Sequence, residues 1–390
     1  MNTMRMLCTA LIMAGLALGA CASQAPDGMY VIEGKLKNVP DSTVVRLFVE
    51  DGDLFTNPKS DTVIGGRFTI CDSIKGTAPR KMALMSDSKG FPNMWLEIWV
   101  QSGKYIKVTG EDCLLSLWNV ESEVEEQRYA NEFAALCPNE RRQMLQWMAE
   151  EADLFRVEDL KALDWTVIDS LRRLHEPLMD TIQLVELKYM QEAPVTAVWL
   201  ENMASYCSFL QHDPGYGHAD LIRSLYGRMS EADKRTDVGQ VITGYMNLPE
   251  RVNVGDDMAD GDLYDLEGNV RHLSEFGGRY ILLDFWSSGC GPCIMSLPEL
   301  EELAGLYRDK VAVVSISMDP KEAWKETVDD KKLTGNQWNE LRKGNTGLAA
   351  SYGVSGIPHY VMISPQGKVL DIWGGYGEGS LKAKLEELVR

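Results

Sequence analysis

Positive charge is in short supply in this chain of 390 residues: 39 Lys and Arg stand against 58 Asp and Glu, a formal charge of −19 at pH 7. No basic block offsets the excess. Nucleic acid and anionic lipid headgroups both need clustered cations, so neither is expected as a partner. Long apolar runs are missing as well. No segment has 18 uninterrupted apolar residues, so no transmembrane helix is expected. Histidine is scarce, with five residues. His212 and His218 bracket an Asp-Pro-Gly-Tyr-Gly stretch whose spacing matches no familiar metal site, and a polar loop is the expectation there. The Gly-rich run 374–379 lacks the Lys-Ser/Thr ending of a phosphate loop and reads as a connection to the last helix. Neither a metal nor a bound cofactor is expected.

Apolar residues make up 45% of the chain, enough for real cores, and the length suits two or three domains. The first residues stand apart. Arg5 gives a charged start, Leu7 to Leu18 is an apolar run of 12 residues, and small residues follow. This is the pattern of a secretory signal peptide, assigned to residues 1–20. Its ending, Leu18-Gly-Ala-Cys21, resembles the bacterial lipobox, which implies cleavage before Cys21 and lipidation of that thiol. The protein is then expected on the periplasmic side of the cell envelope, lipid-anchored to a membrane, where disulfides persist. Of the later cysteines, Cys71, Cys113, Cys137 and Cys207 allow three pairings that sequence cannot separate, or none. Unpaired Cys behaves as a small apolar residue, and the free state is the expectation.

Three regions follow. Residues 28–112 alternate apolar and polar positions in short runs separated by turns, as in Tyr30 to Leu36 and Thr43 to Val49. The spacing predicts a small all-β domain, a sandwich or barrel, closed by a hairpin from Trp95–Val100 to Tyr105–Thr109. Residues 113–250 switch to helical period. Tyr129, Phe133 and Leu136, then Met144, Trp147 and Met148, then Ile168, Leu171, Leu174, Leu178 and Ile182 fall on helix faces. Pro138 and Pro177 are placed at helix starts. The Met and Trp stripes read first as helix packing, with a peptide-binding groove as the secondary reading. Residues 252–390 alternate strand and helix patterns: a buried strand at Tyr280–Trp286, a helix over Leu297–Leu306, a second buried strand at Val311–Ile316, a hairpin from Tyr360 to Trp373 and a final helix.

Cys290-Gly-Pro-Cys293 carries the chemistry. A zinc site would need a second pair of ligands, and none is suitably placed. Here the motif follows a buried strand and opens a helix. Backbone N–H groups at a helix start favour a thiolate at Cys290. Cys293, one turn on, is near enough to attack a mixed disulfide, and Pro292 suits a first helical turn. Asp284 sits in the middle of the apolar strand. Burial raises a carboxyl pKa, so Asp284 is a candidate to move protons to and from Cys293.

The stretch from Asp284 through Cys293 (Asp-Phe-Trp-Ser-Ser-Gly-Cys-Gly-Pro-Cys) resembles the active-site segment of thioredoxins. Its setting is similar to the extracytoplasmic TlpA/ResA-like, AhpC/TSA-type branch. Pro298 falls five residues after Cys293, where thioredoxins kink this helix, and Gly356-Ile-Pro358 matches their cis-proline loop. Cys293 and Pro358 are 65 residues apart, and the extra stretch around Trp324–Leu341, taken as helical, resembles the insertion of this branch. The resemblance implies an α/β thioredoxin fold and a redox-active Cys290–Cys293 disulfide. Cys290 would attack, Cys293 would resolve, and Asp284 would handle protons. Trp286, Gly291, Pro292, Ile357 and Pro358 would contact substrate, Ile357 through backbone hydrogen bonds to an extended segment. The β-rich region resembles an uncharacterised domain found before thioredoxin domains in Gram-negative lipoproteins. Two departures matter. Gly289 replaces the usual Trp before the first Cys, which should leave Cys290 more open. Ser296 stands where ResA-like proteins often carry Glu, so Asp284 is expected to take the acid role.

The resemblance further implies protein thiol and disulfide substrates, with a membrane donor of the thioredoxin-relay type as a potential source of electrons. Disulfide reduction is the expected direction, with oxidase or isomerase action the nearest variant. A peroxidase is disfavoured, since no Pro-x-x-x-Thr-x-x-Cys segment occurs. The contrasting reading is a binding or docking lipoprotein with an auxiliary redox domain.

Overall fold

A computed structural model describes residues 25–51, 54–156, 163–212, 215–342, 344 and 346–389. The expected signal peptide, Cys21, and Asp213 and Pro214 of the His212–His218 stretch lie outside the described residues. The chain divides into two compact units, one ending at Trp199 and the other starting at Leu200.

The first unit begins with eight strands, β1 (Met29–Lys37), β2 (Val44–Asp51), β3 (Leu54–Thr62), β4 (Arg67–Ser73), β5 (Arg80–Met85), β6 (Leu96–Val100), β7 (Tyr105–Glu111) and β8 (Asn119–Glu121). They form two four-stranded sheets, ordered β4-β1-β7-β8 and β3-β2-β5-β6. Ile32, Phe68 and Val108 of one sheet meet Leu47, Leu84 and Ile98 of the other in a single core. Of the two expected all-β forms, this is the sandwich. The sheets close tightly: a Cβ on Gly34 would stand 1.9 Å from the Phe68 ring.

Two expectations fail here. β6 and β7 are not a hairpin, because they belong to different sheets. The turn between them hands the chain across the sandwich, and β7 pairs parallel to β1 instead. The β region also runs past residue 112, since β8 pairs with the free edge of β7 and Val120 enters the shared core.

Among the described residues, seven α-helices follow: α1 (Glu125–Ala134), α2 (Pro138–Leu154), α3 (Trp165–Glu192), α4 (Ala197–His212), α5 (Ala219–Tyr226), α6 (Glu231–Arg235) and α7 (Asp237–Met246). Because α4 spans the division between units, the expected helical region is not one body. Phe133, Met144, Ile168 and Ile182 of the helical stripes are buried, whereas Leu174 is exposed. Pro138 opens α2 as expected, but Pro177 lies inside α3. It sits on an exposed face, where the carbonyl it deprives of a partner is open to water. Cys113, Cys137 and Cys207 are free thiols. Burial pushes the Cys207 thiol up to about 12, which makes it inert. Cys71 is disulfide-bonded, so the expectation of four free thiols does not hold.

In the second unit, a seven-stranded sheet is ordered β10-β9-β13-β12-β11-β14-β15. Its strands are β9 (Leu263–Tyr264), β10 (Val270–Arg271), β11 (Tyr280–Trp286), β12 (Val311–Ser317), β13 (Asn336–Asn339), β14 (His359–Ile363) and β15 (Val369–Gly374). β11 and β12 are parallel and joined through α8 (Gly291–Leu306), while β14 and β15 add antiparallel on the other side. Further helices are α9 (Lys321–Lys331), α10 (Leu348–Ser351) and α11 (Ser380–Leu388).

The alternation of β11 separates two cores. Ile281, Leu283 and Phe285 pack with Trp338, Leu348 and Tyr352 on one face. Leu282 packs with Leu300 and Leu303 of α8 and Leu381 and Leu385 of α11 on the other. Asp284, two residues beyond Leu282, therefore leaves the sheet toward α8. This layered arrangement is the thioredoxin fold. The stretch after Trp324 is helical only to Lys331. Gly335 then turns with positive φ, and Asn336–Asn339 joins β12 as a parallel strand because Trp338 fills the opposite core.

Candidate active site

β11 ends at Trp286, and a short loop carries the chain to Cys290, the N-cap of α8. Cys290 is extended there, and its Sγ accepts a hydrogen bond from the Cys293 amide at 3.2 Å. Gly291 and Pro292 form the first turn, which needs no N–H from proline. The Cys290–Cys293 disulfide is closed, with the two Cα atoms 5.2 Å apart. The two sulfurs differ sharply in access. Cys290 is half-buried beside exposed Gly289, Gly291 and Pro292, whereas Cys293 is 0% exposed.

The loop before β14 closes over the pair. The Ile357–Pro358 peptide is cis. Cys290 Sγ lies 3.6 Å from the Ile357 carbonyl oxygen, bringing together residues 67 apart in sequence. Ile357 is half-buried and Pro358 buried.

Trp286 differs from expectation. It is fully buried and packs with Cys293 and Trp324, which leaves it no surface to offer a substrate. Its place is beneath the disulfide. His359 follows the cis-proline on β14, which lies between β11 and β15, and its side chain is buried against Phe285. Burial pulls its pKa down, keeping the ring neutral.

Asp284 is 0% exposed, and neither carboxyl oxygen has a hydrogen-bond partner. Burial pushes its carboxyl up to about 7, and the Ser315 hydroxyl on β12, its register neighbour, opposes that only weakly. Ser296, where ResA-like proteins often carry Glu, is buried and donates its hydroxyl to the Cys293 carbonyl at 2.8 Å. Asp284 is thus the acid on the α8 face of β11.

Sequence reading missed Asp319. One of its oxygens accepts from the Ser288 amide at 2.8 Å and the Ser317 hydroxyl at 3.2 Å, tying the approach to Cys290 to the end of β12. An Asp-Pro pair just after a mostly apolar strand was the available signal. Asp319→Ala should weaken this tie by about 1–3 kcal/mol. Hydrogen exchange at the Ser288 amide should accelerate accordingly, and unchanged protection would refute the anchoring role.

A helix-opening dithiol, with one sulfur accessible and the other sealed beneath a cis-proline loop, defines the C-terminal domain as thioredoxin-like. Residues 254–372 match the AhpC/TSA family, and the chain carries a domain of that family at its C-terminus. The thiol-disulfide oxidoreductase ResA of Bacillus cereus is 29% identical over 149 residues, 38% of this chain and 83% of that protein. The thioredoxin-like protein YneN of Bacillus subtilis is 28% identical over 124 residues, 32% of this chain and 73% of its own. Among solved structures, the thioredoxin domain of a thiol-disulfide oxidoreductase from Bacteroides vulgatus is 27% identical. That alignment covers 35% of this chain and 99% of that one, with a TM-score of 0.32.

Proposed function

We propose that this protein is a thiol–disulfide oxidoreductase of the cell envelope that reduces disulfides in partner proteins through Cys290 and Cys293. The observation that carries the reading is the asymmetry of the pair, one sulfur open beside the Ile357 carbonyl and the other at 0% exposure. In the reduced protein, the Cys290 thiolate attacks one sulfur of a substrate disulfide. A Cys290–substrate bond forms, the substrate S–S bond breaks, and the departing sulfur takes a proton from solvent. Asp284 accepts the proton of Cys293, whose thiolate attacks Cys290 Sγ. The second substrate sulfur leaves as a thiolate and takes a proton from solvent, the Cys290–Cys293 bond closes, and two electrons have moved. A dithiol donor resets the pair.

Helix-start N–H groups favour the attacking thiolate. The Ile357 backbone is suited to hold an extended substrate segment beside it. The reduction potential, measured against glutathione on protein beginning at residue 22, is expected at or below about −250 mV. A value near about −120 mV would make the protein an oxidant and sink the reductase reading.

Lipid anchoring rests on the Leu18-Gly-Ala-Cys21 ending. Cys21→Ser should move the protein from the membrane fraction to the soluble fraction of the envelope. A variant that still pelleted with membranes would overturn the assignment.

A further inference from the structure

Both oxygens of Asp284 and the hydroxyl of Tyr360 are buried without a hydrogen-bond partner among the described residues, as are the indole nitrogens of Trp286 and Trp324 and Nε2 of His359. Strand pairing sets the first two side chains next to each other. Asp284 of β11 is in register with Tyr360 of antiparallel β14, so both leave the sheet on the same face. That face lies under α8, where Tyr360, Leu282 and Met362 share a core with Leu300 and Leu303. Tyr360 is held there by Trp373, its register neighbour on β15, with ring centroids 5.5 Å apart. Both Asp284 and Tyr360 are 0% exposed. The Asp284 acceptors and the Tyr360 donor, sealed on one face and in register, are chemically complementary.

We propose that Tyr360 is a positioning residue for the exchange: its hydroxyl donates to the Asp284 carboxylate and so sets the pH at which Asp284 takes the proton of Cys293. The inference rests on the oxidoreductase reading above. It adds a residue that no local motif marks. When Asp284 is ionised, the phenol stabilises the charge. When Asp284 holds the proton, the phenol is released.

On the same face of β11, two residues beyond Asp284, Trp286 is a second buried N–H donor, packed with Cys293 and Trp324. β12 contributes the Ser315 hydroxyl, in register with Asp284, which lowers the carboxyl pKa against the larger effect of burial. α8 contributes Cys293, Ser296 and Glu299. The Ser296 hydroxyl is donated to the Cys293 carbonyl, and Glu299 accepts from the Gly379 and Lys382 amides. α11 packs here through Leu381 and Leu385. Ser296 also lies within hydrogen-bonding influence of the Tyr360 hydroxyl, whereas Tyr376, after β15, and Glu299 reach it only through their charges. Burial and the neighbouring Asp284 charge hold the phenol proton far above its usual range, so Tyr360 remains a donor throughout.

The test is single-turnover reduction of a disulfide peptide by the reduced full chain between pH 5 and 9, with the Asp284 carboxyl titrated separately by infrared spectroscopy. Tyr360→Phe should move the pH midpoint of both readouts up by about one to two pH units, the effect of removing one hydrogen bond to a charged group. In an Asp284→Asn background, Tyr360→Phe should leave the kinetic profile where it was. Trp373→Leu, which loosens the same packing but keeps the hydroxyl, should leave the midpoint in place. An unshifted carboxyl titration in folded Tyr360→Phe protein would overturn the proposal, as would an equal shift in Trp373→Leu. If the wild-type chain reduces no disulfide at any pH, the oxidoreductase reading fails, while the infrared titration still decides the Asp284–Tyr360 pairing.

Discussion

Replacing Asp284 with Asn is expected to make the protein more stable at neutral and higher pH, by about 4 kcal/mol at pH 8. The argument starts from burial. Asp284 is 0% exposed, its oxygens are unpartnered, and its carboxyl is pushed from 3.8 up to about 7. A carboxyl raised in the folded state binds its proton more tightly there than in the unfolded chain. Its contribution is therefore fully present below about pH 4 and is lost as pH rises toward 7. Asn has no such proton to lose. The variant should match the wild type near pH 4 and pull ahead steadily between pH 4 and 7. Urea unfolding of the oxidised protein at pH 5 and pH 8, read through hydrogen exchange of the β11 and β14 amides, measures this directly. A gap of the same size at both pH values would contradict the assignment. The same substitution should slow the resolving step at pH 7 by on the order of 10²-fold, since proton transfer then falls to water. A gain in stability accompanied by a loss in rate is the signature of a group retained for chemistry rather than for folding.

The second large effect concerns the sulfurs. Cys290→Ser is expected to lower disulfide reduction by on the order of 10³-fold or more, because Cys137, the other half-buried thiol at a helix start, has its pKa raised by burial and by the Glu140 charge. Cys293→Ser should behave differently. It keeps the attacking sulfur, so partner proteins should accumulate as mixed disulfides on Cys290. Non-reducing electrophoresis followed by mass spectrometry would show these adducts in Cys293→Ser and not in Cys290→Ser. Adducts on Cys290→Ser protein would require an attacking thiol elsewhere and would end the proposed order of events.

Much of the site was readable before the fold was known, for a physical reason. Cys290, Pro292, Cys293 and Asp284 lie within ten residues, so a strand running into a helix places them without help from distant parts of the chain. The cis-proline loop was readable only because Gly356-Ile-Pro358 resembles a known pattern; nothing local says that it lies against Cys290. Tyr360 was invisible in this role. Its neighbour Asp284 is set by pairing between strands far apart in sequence, and alternation alone shows only another apolar strand. Trp286 was misjudged because position near a motif says nothing about depth.

The fold shows the same division. The strands of the first domain were legible as strands, since Phe68 and Ile70 flank Thr69, and Ile32, Gly34 and Leu36 alternate with Glu33 and Lys35. The pairing of β6 with β7 was not. A turn that closes a hairpin and a turn that crosses between sheets have the same composition, and the choice is made by which edge is free. Asn336–Asn339 escaped for a related reason: two of its four residues are Asn, which are poor strand formers, and Trp338 holds the segment in place through tertiary packing.

The depth of Cys293 has a kinetic meaning. A sulfur with no surface of its own exchanges electrons with the outside only through its neighbour, so the pair is a device with a single port. The molecule that empties it and the molecule that refills it must occupy the same place in turn. Turnover is therefore expected to be ping-pong, with parallel lines in double-reciprocal plots and each partner inhibiting the other at high concentration. Any specificity for the donor must be read from the same few atoms that read the substrate.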